Sequence, residues 1–261
     1  MHGIRYPKES TTMSVVDRAR RALGQVGTYV PVPFTRWIPI DEQRKAVRRL
    51  EAAGYGTTWC NEPVGGKDVF AQLAVLMEAT ERMTFGTGIA NVWARAAQTA
   101  HGAAAVLAEA YPDRFVLGLG VGYREQAAAV GRDFGRPAGT MRAYLDAMAE
   151  PPQMPGPDAS YPRIIGANGP KMMALAATTD GAFPAHQPPE FTADARRTLG
   201  PDKLLVMGLS HNADDEPAAI AAQVKAHLAA GADHVTLFPA TGDDFTADVD
   251  RLVDLAPALL S

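Results

Sequence analysis

A closed barrel of eight parallel strands, each followed by a helix, is the fold this sequence predicts, and three observations predict it. Apolar segments of strand length alternate with segments of helical period through eight units. The 261 residues suit a single barrel of this kind. Glycines cluster just after the apolar runs, where barrel strands open onto a C-terminal mouth. An open, doubly wound sheet is the competing arrangement of the same alternation. The chain reads as one (β/α)₈ domain, 14–261, preceded by a loose extension, 1–13.

After a short helical piece, Ser14 to Leu23, the β-formers of Val26 to Pro31 make a first strand that proline closes. Asp41 to Ala53 is a helix with Ala46, Val47, Leu50 and Ala53 on one face and Gly54 as its stop. Tyr55 to Cys60 is the second strand. Lys67 to Thr80 is helical, its Phe70, Leu73, Leu76 and Met77 being core, and Met83 to Ala90 is the third strand. Arg95 to Ala110 is an alanine-rich helix, Arg114 onward the fourth strand, and Glu125 to Met148 a helix interrupted around Gly135 to Pro137.

Glu150 to Asp158 is rich in proline and is the one linker-like stretch. Four more strands follow, Pro162 to Ala167, Gly181 to Ala185, Lys203 to Leu209 and Asp233 to Pro239. Their helices are Pro170 to Thr178, Thr192 to Leu199, Glu216 to Ala230 and Phe245 to Leu260.

Composition narrows the function. Hydrophobic residues make up 47% and charged residues 21%, ordinary for a globular protein with one large core. Net charge is −4, and the dense basic run Arg44, Lys45, Arg48, Arg49 lies in a helical segment as a solvated face, which argues against a nucleic-acid partner. The single cysteine, Cys60, allows neither an intramolecular disulfide nor a thiolate metal cluster. No apolar run marks a secretory signal, and none of about 20 residues marks a membrane span. A cytoplasmic protein is expected. No histidines pair at metal-ligand spacing, and no Gly-x-Ser-x-Gly nucleophile elbow is present.

Three strand ends carry glycine. The third runs Gly86-Thr87-Gly88-Ile89-Ala90-Asn91-Val92-Trp93, which suits a surface packed flat against an aromatic ring, or a barrel strand relieved by glycine. The fourth runs Gly118-Leu119-Gly120-Val121-Gly122-Tyr123, where bare backbone passes close to a phosphate or a flat ring, or makes a tight turn. The fifth, Gly166-Ala167-Asn168-Gly169-Pro170, leads into a helix start that attracts anions, or simply caps it. Together they describe a backbone-lined cleft for a phosphorylated ring. A barrel lyase or isomerase would need a lysine at a strand end, whereas Lys203 begins its strand.

The residues Met83 to Asn91 and Ala108 to Val121 resemble the luciferase-like monooxygenase superfamily, and within it the deazaflavin (coenzyme F420) dependent oxidoreductases. The likeness continues through Gly135-Arg136-Pro137, Met141 to Met148, Gly169 to Met172 and Ala230 to Val235. It implies a barrel holding F420, or alternatively FMN, at its mouth. Gly88, Ile89, Ala90 and Asn91 would back the ring, with a cis non-prolyl peptide at Gly88-Ile89. Gly120, Val121 and Gly122 would meet the ribityl chain and phosphate, and Gly166, Ala167, Asn168 and Gly169 would add backbone donors. The sequence departs from that pattern in its short connection after the seventh strand and in holding Tyr123 and Phe183 near positions where such relatives often carry histidine.

Hydride transfer to a carbonyl, imine or activated alkene leaves an anion that needs a proton. Glu62, just past the second strand, is the first candidate, for acid or for substrate orientation; Tyr123 could donate a phenolic proton or stack, and His186, just past the sixth strand, can reach the mouth too. Trp93 is expected in the cleft wall, and Lys67, Arg95, Arg124 and Lys171 are cations available to the carboxylates of a deazaflavin tail. The leading expectation is an F420-dependent oxidoreductase acting on a small molecule, as a homodimer. An FMN-dependent monooxygenase and a catalytically silent flavin-binding protein are the alternatives.

Overall fold

Nine short strands, all parallel, close a barrel of eight positions in the computed structural model, which describes residues 13–33, 35–151, 154–212, 214–238 and 244–260. They are β1 (Val26–Tyr29), β2 (Thr57–Cys60), β3 (Thr84–Thr87), β4 (Ala90–Asn91), β5 (Phe115–Gly120), β6 (Arg163–Ile165), β7 (Gly181–Ala182), β8 (Leu204–Ser210) and β9 (His234–Phe238). The order is β3-β2-β1-β9-β8-β7-β6-β5-β4, and β3 also pairs with β5, so the sheet closes on itself. The arrangement is a (β/α)₈ barrel, not an open sheet.

The expected third strand is divided. A cis peptide joins Gly88 to Ile89, with β3 before it and β4 after it. β5 pairs with each half in turn, Phe85 opposite Phe115 and then Ala90 opposite Leu119. At the change-over the Thr87 hydroxyl donates to the Gly118 carbonyl at 2.7 Å and accepts from the Gly118 N–H at 2.9 Å. A side chain thus satisfies backbone groups that would otherwise be buried unpaired.

The helices are α1 (Val15–Leu23), α2 (Ile40–Ala52), α3 (Val69–Glu78), α4 (Ala97–Ala110), α5 (Arg124–Ala129), α6 (Pro137–Ala149), α7 (Pro170–Ala176), α8 (Pro189–Leu199), α9 (Pro217–Ala229) and α10 (Phe245–Leu259). Their starts follow local chemistry. Ser14, Asp68 and Asp244 accept backbone N–H bonds at the starts of α1, α3 and α10, and α6 to α9 each have proline in the first turn. The expected break at Gly135 to Pro137 separates α5 from α6. The basic run of α2 is a solvated face, with Arg44 paired to Asp41 and Lys45 to Glu42. Residues 1–12 of the expected extension, 152–153 of the linker-like stretch and Pro239 at the end of the last expected strand lie outside the described residues.

Side chains alternate across each strand, so the barrel has two cores. Leu117, Leu119, Ile165, Leu205, Met207 and Leu237 face the helices. Trp59, Val116, Ile164, Phe183, Leu204 and Val206 fill the interior. The helix α1 joins the second set: Val16, Ala19 and Leu23 are buried against the interior side chains and close the barrel's floor.

Polar groups lock that floor. The last carbonyls of a helix have no partner within it. Here Ala22 accepts from Thr84 Oγ1 at 3.2 Å, Leu23 from Thr57 Oγ1 at 2.7 Å and Gly24 from His234 Nδ1 at 2.8 Å. Trp59 Nε1 donates to His234 Nε2 at 3.2 Å, which leaves the imidazole proton on Nδ1. Burial holds this imidazole neutral and pushes its pKa down to about 4. Glycine makes the space, since a Cβ on Gly86 would lie 2.2 Å from the Trp59 ring and one on Gly27 2.6 Å from His234.

Candidate functional site

The strand ends opposite that floor open onto a cavity of about 610 Å³, in the range of small-molecule and cofactor sites. All eight barrel positions contribute to its lining. Two walls of different chemistry result from the strand order. The ends of β3, β5 and β6 present mainly backbone, and those of β1, β9 and β7 present rings.

On the backbone side, Gly88, Ile89 and Asn91 line the cavity, as do Gly120, Val121 and Gly122 and the run 166–169. Some of these glycines are required by the protein itself. A Cβ on Gly120 would lie 2.5 Å from Ile89, and one on Gly122, whose φ is +54°, would lie 1.9 Å from Gln126 Oε1. That oxygen accepts from Asn91 Nδ2 and from the Tyr123 N–H, both at 3.0 Å, and fastens the two mouths together. Gly166 and Gly169 are different. A Cβ on Gly166 would make only ordinary contacts and one on Gly169 none within 4 Å, so neither of these two cavity-lining glycines is required by the protein's own packing. A bare cradle of this kind fits a bound flat or phosphorylated group.

On the ring side, Tyr29 stacks on Phe238 with centroids 4.0 Å apart, and Phe238 stacks on His186 at 5.2 Å. The Tyr29 hydroxyl donates to the Gly88 carbonyl at 2.8 Å across the barrel, and burial raises its pKa well above the usual phenol value. Phe183 lies beneath, 4.8 Å from Trp59, and joins this wall to the interior core.

The three proposed acids all line the cavity, in three different environments. Glu62 is buried, and its oxygens accept from the backbone N–H of Val69 at 3.1 Å and of Asn91 at 2.9 Å. Arg95 closes a two-pronged ion pair with the same carboxylate and bonds Asp68 at 2.8 Å. Four donors thus converge on this one carboxylate at the cavity wall and occupy both of its oxygens. Tyr123 is 73% exposed at the rim. The His186 Nδ1 lies 2.5 Å from Ser210 Oγ, and His186 occupies the left-handed backbone region at φ 57°.

Some expectations need correction. Ala90 does not line the cavity: opposite Leu119 in register, it faces outward into the helix layer and is 1% exposed. Trp93 packs behind the fourth mouth, donating to the Val121 carbonyl at 2.7 Å. Arg95 is committed to Glu62 and Asp68 and is not a free rim cation. Lys67 is half-buried beside Cys60 and Glu62, and the burial lowers its pKa. Tyr29, Asn61, Gln126, Ser210 and Phe238 line the cavity without having been expected there. Among the described residues, no group of three or more His, Cys, Asp or Glu is placed to hold a metal ion, and no helix is long and apolar enough to cross a membrane.

A parallel barrel with a backbone wall facing a ring wall across one mouth cavity is the class of architecture that the chain presents. The chain belongs to the luciferase-like monooxygenase family, whose profile matches residues 13–234. It is 28% identical over 170 residues to the 5,10-methylenetetrahydromethanopterin reductase of Methanolobus tindarius, an alignment covering 58% of this chain and 52% of that protein. The chain thus spans about half the length of the curated relatives it matches. Its fold is similar to that of the coenzyme F420 dependent tetrahydromethanopterin reductase of Methanopyrus kandleri, with a TM-score of 0.69, 13% identity, and coverage of 89% of this chain and 98% of that one. A type II Baeyer–Villiger monooxygenase, the oxygenating constituent of 3,6-diketocamphane monooxygenase from Pseudomonas putida in complex with FMN, is also similar in fold. There the TM-score is 0.58 at 12% identity, covering 72% of this chain and 67% of the other.

Proposed function

We propose that the mouth cavity binds coenzyme F420 and that the protein is an oxidoreductase moving hydride between this deazaflavin and a small carbonyl, imine or activated alkene. The observation that carries the reading is the cradle at Gly166 and Gly169, two cavity-lining glycines that the protein's own packing does not require. Curated relatives named as reductases of the methanopterin type support it. When bound and reduced, the deazaflavin supplies a hydride equivalent. Gly88, Ile89 and Asn91 would back the ring, while Gly120 to Gly122 and the run 166–169 would hold the ribityl chain and phosphate. The ring wall of Tyr29 and Phe238 would present an apolar surface to a small substrate on the opposite side of the cavity.

An FMN-dependent monooxygenase is the second reading, favoured by the fold likeness to an FMN-bound oxygenase constituent. Parallel titration of the purified protein with F420 and FMN, oxidised and reduced, separates the two. Micromolar F420 binding with FMN at least tenfold weaker is the expected result. Tight FMN binding alone transfers the assignment to the second reading, and binding of neither rejects both.

A further inference from the structure

We propose that His186 and Ser210 form a proton-delivering pair in this cavity, with His186 Nε2 as the acid and Ser210 as the residue that positions the ring. The inference rests on the hydride-transfer reading above.

Of the three candidate acids, Glu62 is consumed by four donors, and Tyr123 and His186 are both exposed at the rim; of these two, it is the His186 ring that a second side chain, Ser210, and a stacked ring, Phe238, hold in place. A third lining hydroxyl, that of Tyr29, is spent on the Gly88 carbonyl. His186 is the remaining titratable side chain of the described lining, and imidazole is the group best suited to exchange a proton near neutral pH.

Its ring is fixed from two directions. Phe238 stacks against it at 5.2 Å with the planes 29° apart, and Ser210 Oγ lies 2.5 Å from Nδ1. The backbone beneath is fixed as well. The His186 N–H donates to the Gly208 carbonyl at 2.9 Å, and the Ala185 N–H donates to Asn168 Oδ1 at 2.9 Å. A non-glycine residue in the left-handed region persists where its surroundings determine it, and such residues gather at functional sites. These contacts occupy Nδ1, one ring face and the main chain, and leave Nε2 without a protein partner among the described residues.

Atoms and electrons balance in the step. In the imidazolium, Nδ1–H donates to Ser210 Oγ and Nε2–H faces the substrate. The carbonyl or imine carbon accepts hydride, with the reduced deazaflavin as the two-electron donor, and the π pair moves onto oxygen or nitrogen. The Nε2–H bond breaks as the new O–H or N–H bond forms. The cofactor is oxidised, the substrate is reduced, and a neutral imidazole remains with its proton on Nδ1, still bonded to Ser210.

Two measurements test this. In the cofactor-free protein with ¹⁵N-labelled imidazole, neutral His186 should be the Nδ1–H tautomer alone, and Ser210→Ala should yield a mixture, with Ser210→Thr restoring the single form. With F420 bound, turnover of a panel of small ketones, aldehydes, imines and enones should fall about 100-fold or more in kcat for His186→Gln. For Ser210→Ala the fall should be about five- to tenfold, recovered in Ser210→Thr, with F420 affinity changed less than about twofold. An Nε2–H tautomer, or His186→Gln turnover within twofold of wild type, overturns the inference while the hydride-transfer reading stands. Absence of F420 binding or of any turnover by the wild type rejects that reading, and the proton role with it.

Discussion

The two ends of this barrel are built by opposite rules. At the floor, the polar groups that close it are matched inside the protein: three carbonyls ending α1 meet Thr84, Thr57 and His234, and His234 in turn takes the Trp59 N–H. At the mouth, glycine backbone and single ring faces are left uncovered around about 610 Å³ of space. Glycine serves both ends to contrary purpose. Gly27 and Gly86 admit protein side chains, whereas Gly166 and Gly169 keep protein side chains out. The contrast teaches that stability and binding are separated along the barrel axis, as the fold permits. Glu62 is the exception, a floor-like knot of buried charge and backbone bonds set at the mouth.

Substitutions can break or sharpen this contrast. The largest effect should come from Trp59→Ala, which empties the fully buried centre of the floor and should cost about 3–5 kcal/mol in denaturant unfolding. Cofactor affinity of the fraction that stays folded should hold within about threefold. Glu62→Ala comes next. It leaves Arg95, a side chain only 10% exposed, with Asp68 as its one remaining carboxylate partner and frees the backbone N–H groups of Val69 and Asn91, and should cost about 3 kcal/mol; a loss below about 1 kcal/mol would show that this knot does not hold the mouth together.

A pH effect of similar size should come from His234. Its folded pKa of about 4 lies below its ordinary 6.5, so the unfolded chain binds the proton first. The stability it contributes is complete above about pH 6.5 and declines as pH falls toward 4, by on the order of 3 kcal/mol in all. Unfolding curves of His234→Gln should have a shallower slope through that window than wild type, and an unchanged slope would discount the buried imidazole as the cause.

The smallest effect on stability is expected at the cradle. Gly169→Thr keeps a residue competent to cap α7 and projects into open space, so unfolding should shift by less than about 0.5 kcal/mol. F420 affinity should nevertheless fall at least about tenfold. A large stability loss with unchanged affinity would invert the assignment of this end of the barrel.

The contrast also explains what the sequence made legible. Alternating apolar and helical periods set out eight strand positions, because each layer imposes its own period on the chain. The backbone wall was visible because glycine is itself the signal. The ring wall is not legible in that way, since Tyr29 and Phe238 are single residues with no local pattern. The rule that barrel strands deliver function just past their ends points to them as directly as to Gly120. The place of Glu62 just past a strand is legible, but its ion pair is not, because the Arg95 that claims it lies 33 residues away in the chain. The role of α1 was hidden for a related reason: Val16, Ala19 and Leu23 make an apolar face, and nothing local says what that face covers.

That floor helix has a consequence for how the molecule is made. Gly24 and the His234 that closes on it are 210 residues apart, so α1 is synthesised long before the last strand that seals it in place. At about 5–20 residues per second, the interval is roughly 10–40 s. For that time the stripe of Val16, Ala19 and Leu23 has no finished barrel to cover, and the nascent chain carries an exposed greasy segment that chaperones are suited to hold.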